Sequence, residues 1–260
     1  MLYELRISTN IRMKKFFVIL GLLIIIVLSF GYVFLKIQAQ GAEDDYFNQH
    51  WRAKFAEVPW LRHILALHND GDARADYLGN RYQKILMEVD VMENLEPNLS
   101  ALGLLTKRIA EATGKPTTYL VSDRNLPFQK EETAEDLDKV VKRFRTYHDA
   151  GDLATLYLLY ANQMANEPEL LGKTYHEDGI VIFAGALENF TRDNPKTFAN
   201  YEASTALHEF GHQIGLIHNQ QPGCLMNEHA ESSHVARENP EDVVVDFCIL
   251  EKDEIVKSRK

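Results

Sequence analysis

The sequence predicts an α+β protein with an α/β-like alternation of strands and helices, preceded by a long apolar helix near the N-terminus. Three observations lead to this prediction. A charge-free apolar stretch occupies Phe16–Leu35, strand-like and helix-like segments alternate from Tyr82 onward, and a helix start signal is present at Asn194 and Pro195. With 260 residues the chain has room for one or two domains.

Phe16–Leu35 is long enough to cross a bilayer as a helix. The charges that flank it are basic: Arg6, Arg12, Lys14, Lys15 and Lys36. The alternative is a cleaved secretory signal, but the apolar regions of such signals are usually shorter, and Ala39 and Ala42 are weak cleavage candidates. We expect a single-pass signal anchor at 16–35, with the basic segment 1–15 in the cytoplasm and the rest exported. Secretion after signal cleavage is the alternative.

The exported part of the chain is acidic. The first forty residues contain one acidic and five basic residues and carry +4, whereas the whole chain carries −10, so residues 41–260 carry −14. A charge of this sign repels phosphates. It therefore argues against nucleic acid or an anionic membrane surface as a partner.

Residues 36–81 have a helical, aromatic-rich pattern interrupted by Pro59 and by the turn sequence Asn69–Asp72. Two interpretations remain open for this segment. It is either a juxtamembrane stalk that packs on the following domain or a pro-segment that covers a cleft.

Residues 82–260 form the second predicted domain, in which strands and helices alternate. Period-two or β-rich patterns predict strands, and amphipathic periodicity predicts helices. The predicted strands are Ile85–Val91, Thr117–Ser122 and Leu153–Tyr160, the predicted helices are Leu99–Ala112 and Ala134–His148, and Leu171–Tyr175 with Gly179–Ala184 form a predicted hairpin. A further helix follows Pro195.

The helix after Pro195 carries a metal-binding pattern. His208 and His212 stand four residues apart, so both imidazoles project from one helical face and can share a metal ion. Glu209 can reach a water on that ion without being a ligand. Gly215 can adopt a left-handed conformation, end the helix and turn the chain, so that His218 returns as a third ligand.

The alternative for this segment is an amphipathic core helix with two surface histidines. Leu207, Phe210 and Ile214 do form an apolar stripe for packing. Packing, however, requires neither Glu209 nor three histidines at this spacing. We therefore predict a metal site.

Three histidines and a water are typical of a catalytic zinc ion with one open position. Zinc bound by His208, His212 and His218 would lower the pKa of its water towards ~7 and polarise a substrate carbonyl. Glu209 would act as general base towards that water and then as general acid towards the leaving amine. The expected cofactor is one catalytic Zn²⁺.

The run from His208 to His218 resembles the metzincin clan of zinc metallopeptidases. Met226, eight residues after His218, is similar to the methionine turn of that clan. The resemblance implies a twisted mixed sheet, a backing helix, an active-site helix and a small C-terminal subdomain within 82–260. It also implies peptide or protein substrates, held by an edge strand in the hairpin that begins at Leu171.

Within the clan the spacing is most similar to archaemetzincins, in which cysteines hold a second zinc. Here Asn219 and Glu251 stand where two of those cysteines would be, and Cys224 and Cys248 remain. The resemblance places these two residues near one another, and an exported domain lies in an oxidising compartment. We therefore predict a Cys224–Cys248 disulfide, with two buried free thiols as the alternative.

Three functions are compatible with this sequence. The leading hypothesis is a membrane-anchored zinc metallopeptidase that acts outside the cytoplasm. The alternatives are a catalytically silent metallopeptidase fold used as a binding module, and a zinc hydrolase of a non-peptide amide. His176, His229 and His234 are interpreted as ordinary surface histidines.

Overall fold

The computed structural model describes residues 2–42, 45–124, 126–127, 129–227 and 237–259, with side chains from residue 15 onward. The chain divides into two units, Met1–Leu67 and His68–Lys260. The second unit contains the sheet and begins at His68, whereas the sequence pattern places the start of this domain at Tyr82.

The first unit is helical. Its helices are α1 (Leu2–Ala39), α2 (Tyr46–His50), α3 (Arg52–Ala56) and α4 (Pro59–Leu65). Within α1, Lys15–Ala39 contains an 18-residue window with a mean hydropathy of 2.9 and no buried residue, so the length and composition of this segment suffice to cross a membrane. A helix with these properties near the N-terminus is compatible with a membrane anchor or with a signal sequence.

The second unit is built on a five-stranded sheet in the order β2-β1-β3-β5-β4. The strands are β1 (Lys84–Val91), β2 (Thr117–Val121), β3 (Leu153–Ala161), β4 (Gly172–Tyr175) and β5 (Gly179–Phe183). Strands β2, β1, β3 and β5 are parallel, and β4 pairs antiparallel with β5. The mixed α/β character and the β4–β5 hairpin are therefore as predicted, and β4 is an edge strand.

Helices cover both faces of this sheet. They are α5 (Arg74–Leu78), α6 (Leu99–Thr113), α7 (Ala134–Phe144), α8 (Ala184–Phe190), α9 (Phe198–Gln213) and α10 (Ile249–Ser258). Side chains alternate between the two faces of a strand. Leu156 of β3 accordingly lies in one apolar cluster with α6 and α9, and Leu159 lies in a second cluster with α7. Strand β3 is buried on both faces, and α9 packs against β4, β5 and α6.

The predicted helix Ala134–His148 is too long, because α7 ends at Phe144. Arg145 leaves the helix with φ −57° and ψ 128°, and its guanidinium pairs with the carboxylate of Asp178 at 2.5 and 2.7 Å. The next two backbone amides donate to the buried carboxylate of Glu88 at 2.8–3.1 Å. These long-range ion and hydrogen-bond partners outweigh the local helical pattern.

A buried carboxylate lies in the first half of α9. Glu202 is 1% exposed and accepts hydrogen bonds from the Tyr160 hydroxyl at 2.7 Å and from the Asn98 amide at 3.1 Å. Burial raises the pKa of Glu202 from 4.5 to about 7, and the two hydrogen bonds oppose this shift. The folded protein therefore retains a proton on Glu202 at pH values where the unfolded chain has lost it.

We expect the substitution Glu202→Gln to change how stability depends on pH. Because the folded pKa is raised, the wild type should lose up to about 3 kcal/mol of unfolding free energy as the pH rises from 4.5 to 7. Glutamine cannot ionise, so the variant should lack this loss and gain relative to the wild type at pH 8. Urea unfolding of both proteins at pH 5 and pH 8 measures the effect. If the variant and the wild type differ in unfolding free energy by the same amount at both pH values, the raised pKa of Glu202 would be contradicted.

Candidate active site

The predicted metal site is assembled at the C-terminal end of α9. His208 and Glu209 lie on the buried side of this helix, with 3% and 4% exposure, whereas His218 is exposed. Gly215 has φ +83°, as predicted, and the chain reverses there. The amide of Leu216 donates to a helical carbonyl at 2.9 Å, which closes the helix end. The turn brings His218 back towards the helix.

Three imidazoles converge at this point. The Nε2 atom of His218 lies 3.1 Å from Nε2 of His208 and 3.1 Å from Nε2 of His212. The Nδ1 atoms of His208 and His212 lie 2.9 and 3.1 Å from the carbonyl oxygens of Leu225 and Leu216. A carbonyl accepts but cannot donate, so each Nδ1 carries a proton, and the neutral form of each ring then presents a lone pair at Nε2.

The donor set fits a zinc ion. A cation between the rings would remove the repulsion that three Nε2 lone pairs have at separations near 3.1 Å. Two nitrogens at ~2.05 Å from a tetrahedral zinc are ~3.3 Å apart, close to the separation found here. Burial, with the neighbouring imidazoles, lowers the pKa of His212 and favours its neutral, ligating form. The structure thus brings together the three histidines that the sequence predicts as ligands.

Glu209 lies directly beside the edge strand. A Cβ atom placed on Gly172 of β4 would be 3.4 Å from Cγ of Glu209 and only 2.5 Å from Cγ2 of Thr205. Any larger residue at position 172 would therefore push β4 away from α9. Glycine allows the backbone of the edge strand to contact the predicted general base.

Met226 packs against α9 from the side of the C-terminal segment. It is fully buried, and a Cβ atom on Gly211 would overlap its sulfur. Gly211 stands between the predicted ligands His208 and His212 in the sequence, so its missing side chain leaves room for the thioether. This position agrees with the methionine turn that the resemblance implies.

The segment around Met226 is held by a disulfide and a buried carboxylate. The predicted disulfide between Cys224 and Cys248 is present, with a Cα–Cα distance of 4.9 Å. Glu251 is 3% exposed, and its carboxylate accepts hydrogen bonds from four groups. The donors are the amides of Met226 (2.8 Å), Cys248 (2.8 Å) and Leu225 (3.3 Å) and the side-chain nitrogen of Asn219 (3.0 Å).

Glu251 was not predicted to have a role, although the sequence contains a signal for one. It is the third residue of α10, where a glutamate commonly accepts from the amide of the N-cap residue. The hydrogen bond between Asn219 and Glu251 joins two of the positions at which the archaemetzincin pattern has cysteines. A carboxylate–amide contact and a disulfide therefore connect the segment before Met226 to the start of α10.

Asp70 is a second residue near the site that the sequence did not single out. The Thr174 hydroxyl of β4 donates to the Asp70 carboxylate at 2.9 Å. The negative charge of Asp70 raises the pKa of His212, against the larger lowering by burial. The adjacent Gly71 has φ +79°, and a Cβ atom there would be 2.9 Å from Cα of Gly215. The turn at 69–72 therefore lies against the end of the active-site helix, although the sequence pattern assigned it to the stalk or pro-segment.

His176 lies in the β4–β5 turn and is not one of the three converging imidazoles. His229 and His234 are outside the described residues. The interpretation of these two as surface histidines remains a prediction.

We expect Glu251→Ala to destabilise the protein and to weaken its metal site. Removal of the carboxylate leaves buried amides unpaired, which costs about 2–4 kcal/mol. The Leu225 carbonyl that orients His208 is also released, and loss of such an orienting contact weakens metal affinity about 10–100-fold. Urea unfolding and zinc competition measure the two effects. Glu254→Ala, at an exposed position of the same helix, is the control and should change neither.

Comparison with known proteins adds two similar structures. No family model matches the chain, and no curated protein matches it. An archaemetzincin from Methanopyrus kandleri is 16% identical with a TM-score of 0.49, over 69% of this chain and 97% of that one. Metalloproteinase-II from Bacteroides fragilis is 13% identical with a TM-score of 0.42, over 68% of this chain and 54% of that one.

Proposed function

We propose that this protein is a zinc-dependent metallopeptidase, anchored in a membrane by α1 and acting on peptide bonds outside the cytoplasm. The observation that carries the proposal is the approach of His218 Nε2 to 3.1 Å from Nε2 of both His208 and His212, together with a buried Glu209 next to His208 on the same helix. Structural histidine clusters do not need a carboxylate at that position. A hydrolytic site does.

Each residue of the site has a distinct task. His208, His212 and His218 hold the zinc ion, which when bound supplies Lewis-acid polarisation of the substrate carbonyl. Glu209 accepts the proton of the attacking water and delivers it to the departing amine nitrogen. Its burial limits competing water and strengthens its electrostatic effect on the reacting groups.

The edge strand supports a peptide as substrate. Strand β4 ends the sheet of the described residues, so its outer backbone groups are available for pairing. An extended peptide that adds to this edge would pass beside Glu209, because Gly172 brings β4 against that side chain. A small non-peptide amide would make no use of this edge.

Two features support a location outside the cytoplasm. The disulfide between Cys224 and Cys248 is typical of an oxidising compartment. The basic residues before the apolar part of α1 favour a cytoplasmic N-terminus.

Cleavage of a diverse peptide library tests the proposed activity. We expect the full-length protein in detergent micelles to produce defined cleavage products by mass spectrometry. A chelator should abolish them and added zinc should restore them. Zinc binding without any cleavage would instead favour the silent binding module, and hydrolysis restricted to non-peptide amides would favour the third hypothesis.

We further expect the mature protein to retain α1. Sequencing of the N-terminus of membrane-extracted protein should find residues ahead of Phe16, and protease added outside the membrane should digest the second unit. A mature N-terminus near residues 40–43 would show that the apolar segment is a cleaved signal.

A further inference from the structure

A second group of metal-ligating side chains lies at the β4–β5 turn. It consists of His68, His176 and Glu177, whose ligand atoms all lie within 4.8 Å of one another. None of these residues belongs to the three converging imidazoles of the candidate active site. His68 and Glu177 are partly buried, the His176 side chain is 40% exposed, and all three belong to the same unit, His68–Lys260.

The His68 side chain already contacts the other two side chains. Nδ1 of His68 is 2.6 Å from Oε2 of Glu177, and the His68 and His176 rings are 4.8 Å apart with a T-shaped arrangement. The ligand atoms around one zinc ion lie ~3.2–3.5 Å apart. Small side-chain rotations would bring the ligand atoms of this cluster from their present spacing of up to 4.8 Å to that spacing. Because the side chains are partly exposed, they have room for such rotations.

Neighbouring groups hold this cluster in place. Nε2 of His176 lies 3.1 Å from the carboxylate of Asp138, a contact of the kind that orients metal-bound histidines. Gln213, the fully buried last residue of α9, donates to the carbonyls of His176 at 3.0 Å and of Gly179 at 2.7 Å. The turn is therefore fixed to the active-site helix.

We propose that His68, His176 and Glu177 bind a second divalent transition metal of the zinc class, which clamps the chain at His68 to the edge hairpin. Two imidazoles and one carboxylate suit zinc, whereas Mg²⁺ and Ca²⁺ prefer oxygen ligands. The clamp would act on the same side of β4 as the hydrogen bond from Thr174 to Asp70, which is 2.9 Å long. Bound metal would thus stiffen the edge strand that contacts Glu209.

Counting of bound zinc tests the second site, and the result does not depend on peptidase activity. Metal-depleted full-length protein in detergent is dialysed against Zn²⁺, and its zinc content is measured by elemental mass spectrometry. We expect two zinc ions per wild-type chain and one in His68→Ala or His176→Ala. His148→Ala, at an exposed position elsewhere, is the matched control and should retain two.

Glu177→Gln keeps the shape of the cluster and covers the case in which a histidine variant does not fold. It should bind zinc at this site about 10-fold or more weakly, because the anionic ligand is lost. One zinc per wild-type chain, lost in His218→Ala and unaffected by His68→Ala, would overturn the second site and leave the proposed peptidase standing. Two zinc ions in His68→Ala would also overturn it.

Hydrogen exchange tests the clamp itself. In His218→Ala, where the first site is impaired, added zinc should slow amide exchange in residues 172–179. The double variant His68→Ala with His218→Ala should show no such slowing. Equal protection in both proteins would overturn the clamp.

Discussion

Glu209→Gln should retain the fold and the zinc ion but lose turnover by about 1,000-fold or more. Glutamine has nearly the same shape and can still accept a hydrogen bond, but it cannot take a proton from water. A positioned general acid–base contributes about 10²–10⁴-fold to rate, and Glu209 is expected to serve in two proton transfers. The loss should therefore appear in kcat with little change in KM.

The measurement compares peptide cleavage and zinc content for the wild type and the variant. Glu188→Gln, which changes an exposed carboxylate on α8, is the matched control and should keep full activity. A Glu209→Gln protein with a near-normal kcat would remove Glu209 from the mechanism. Loss of zinc in the same variant would show a structural role instead.

The local part of the site could be predicted from the sequence because its geometry depends on short-range rules. The spacing of His208 and His212 follows from the helical period. The left-handed turn at Gly215 follows from the conformational freedom of glycine, and its observed φ is +83°. These two rules suffice to place His218 near the other imidazoles.

The supporting contacts could not be predicted, because they join residues distant in the sequence. Asp70 contacts β4 across about a hundred residues, and Glu251 contacts the Met226 amide across twenty-five. The end of α7 is set in the same way, since Arg145 pairs with Asp178 in a different element. The periodicity of the sequence does not predict such long-range hydrogen-bond and ion-pair partners.

The packing roles of two glycines could likewise not be predicted from the sequence. In the sequence, Gly172 and Gly211 are small residues in a strand and a helix, where glycine is mildly unfavourable. Their purpose is visible only when the neighbours are known: Glu209 and Thr205 for the first, and Met226 for the second. Both glycines allow another segment to approach α9, so the candidate site depends on missing side chains as well as on present ones.

His218→Ala should weaken the catalytic zinc site by about 100-fold or more while leaving the fold intact. The His218 side chain is exposed, so its removal creates no cavity in the core. His208 and His212 would remain, but two histidines leave the zinc coordination incomplete. Loss of an orienting contact alone costs 10–100-fold in metal affinity, and loss of a direct ligand should cost more.

Competition with a chromogenic chelator measures this affinity, and urea unfolding of the zinc-free proteins checks the fold. The expected result is an unchanged unfolding midpoint together with a large shift in the chelator titration and loss of peptide cleavage. His148→Ala removes an equally exposed imidazole away from the site and should leave the titration unchanged. Unaltered zinc affinity in His218→Ala would mean that the 3.1 Å approach of its Nε2 atom to the other two rings has no role in metal binding. The proposed three-histidine site would then be wrong.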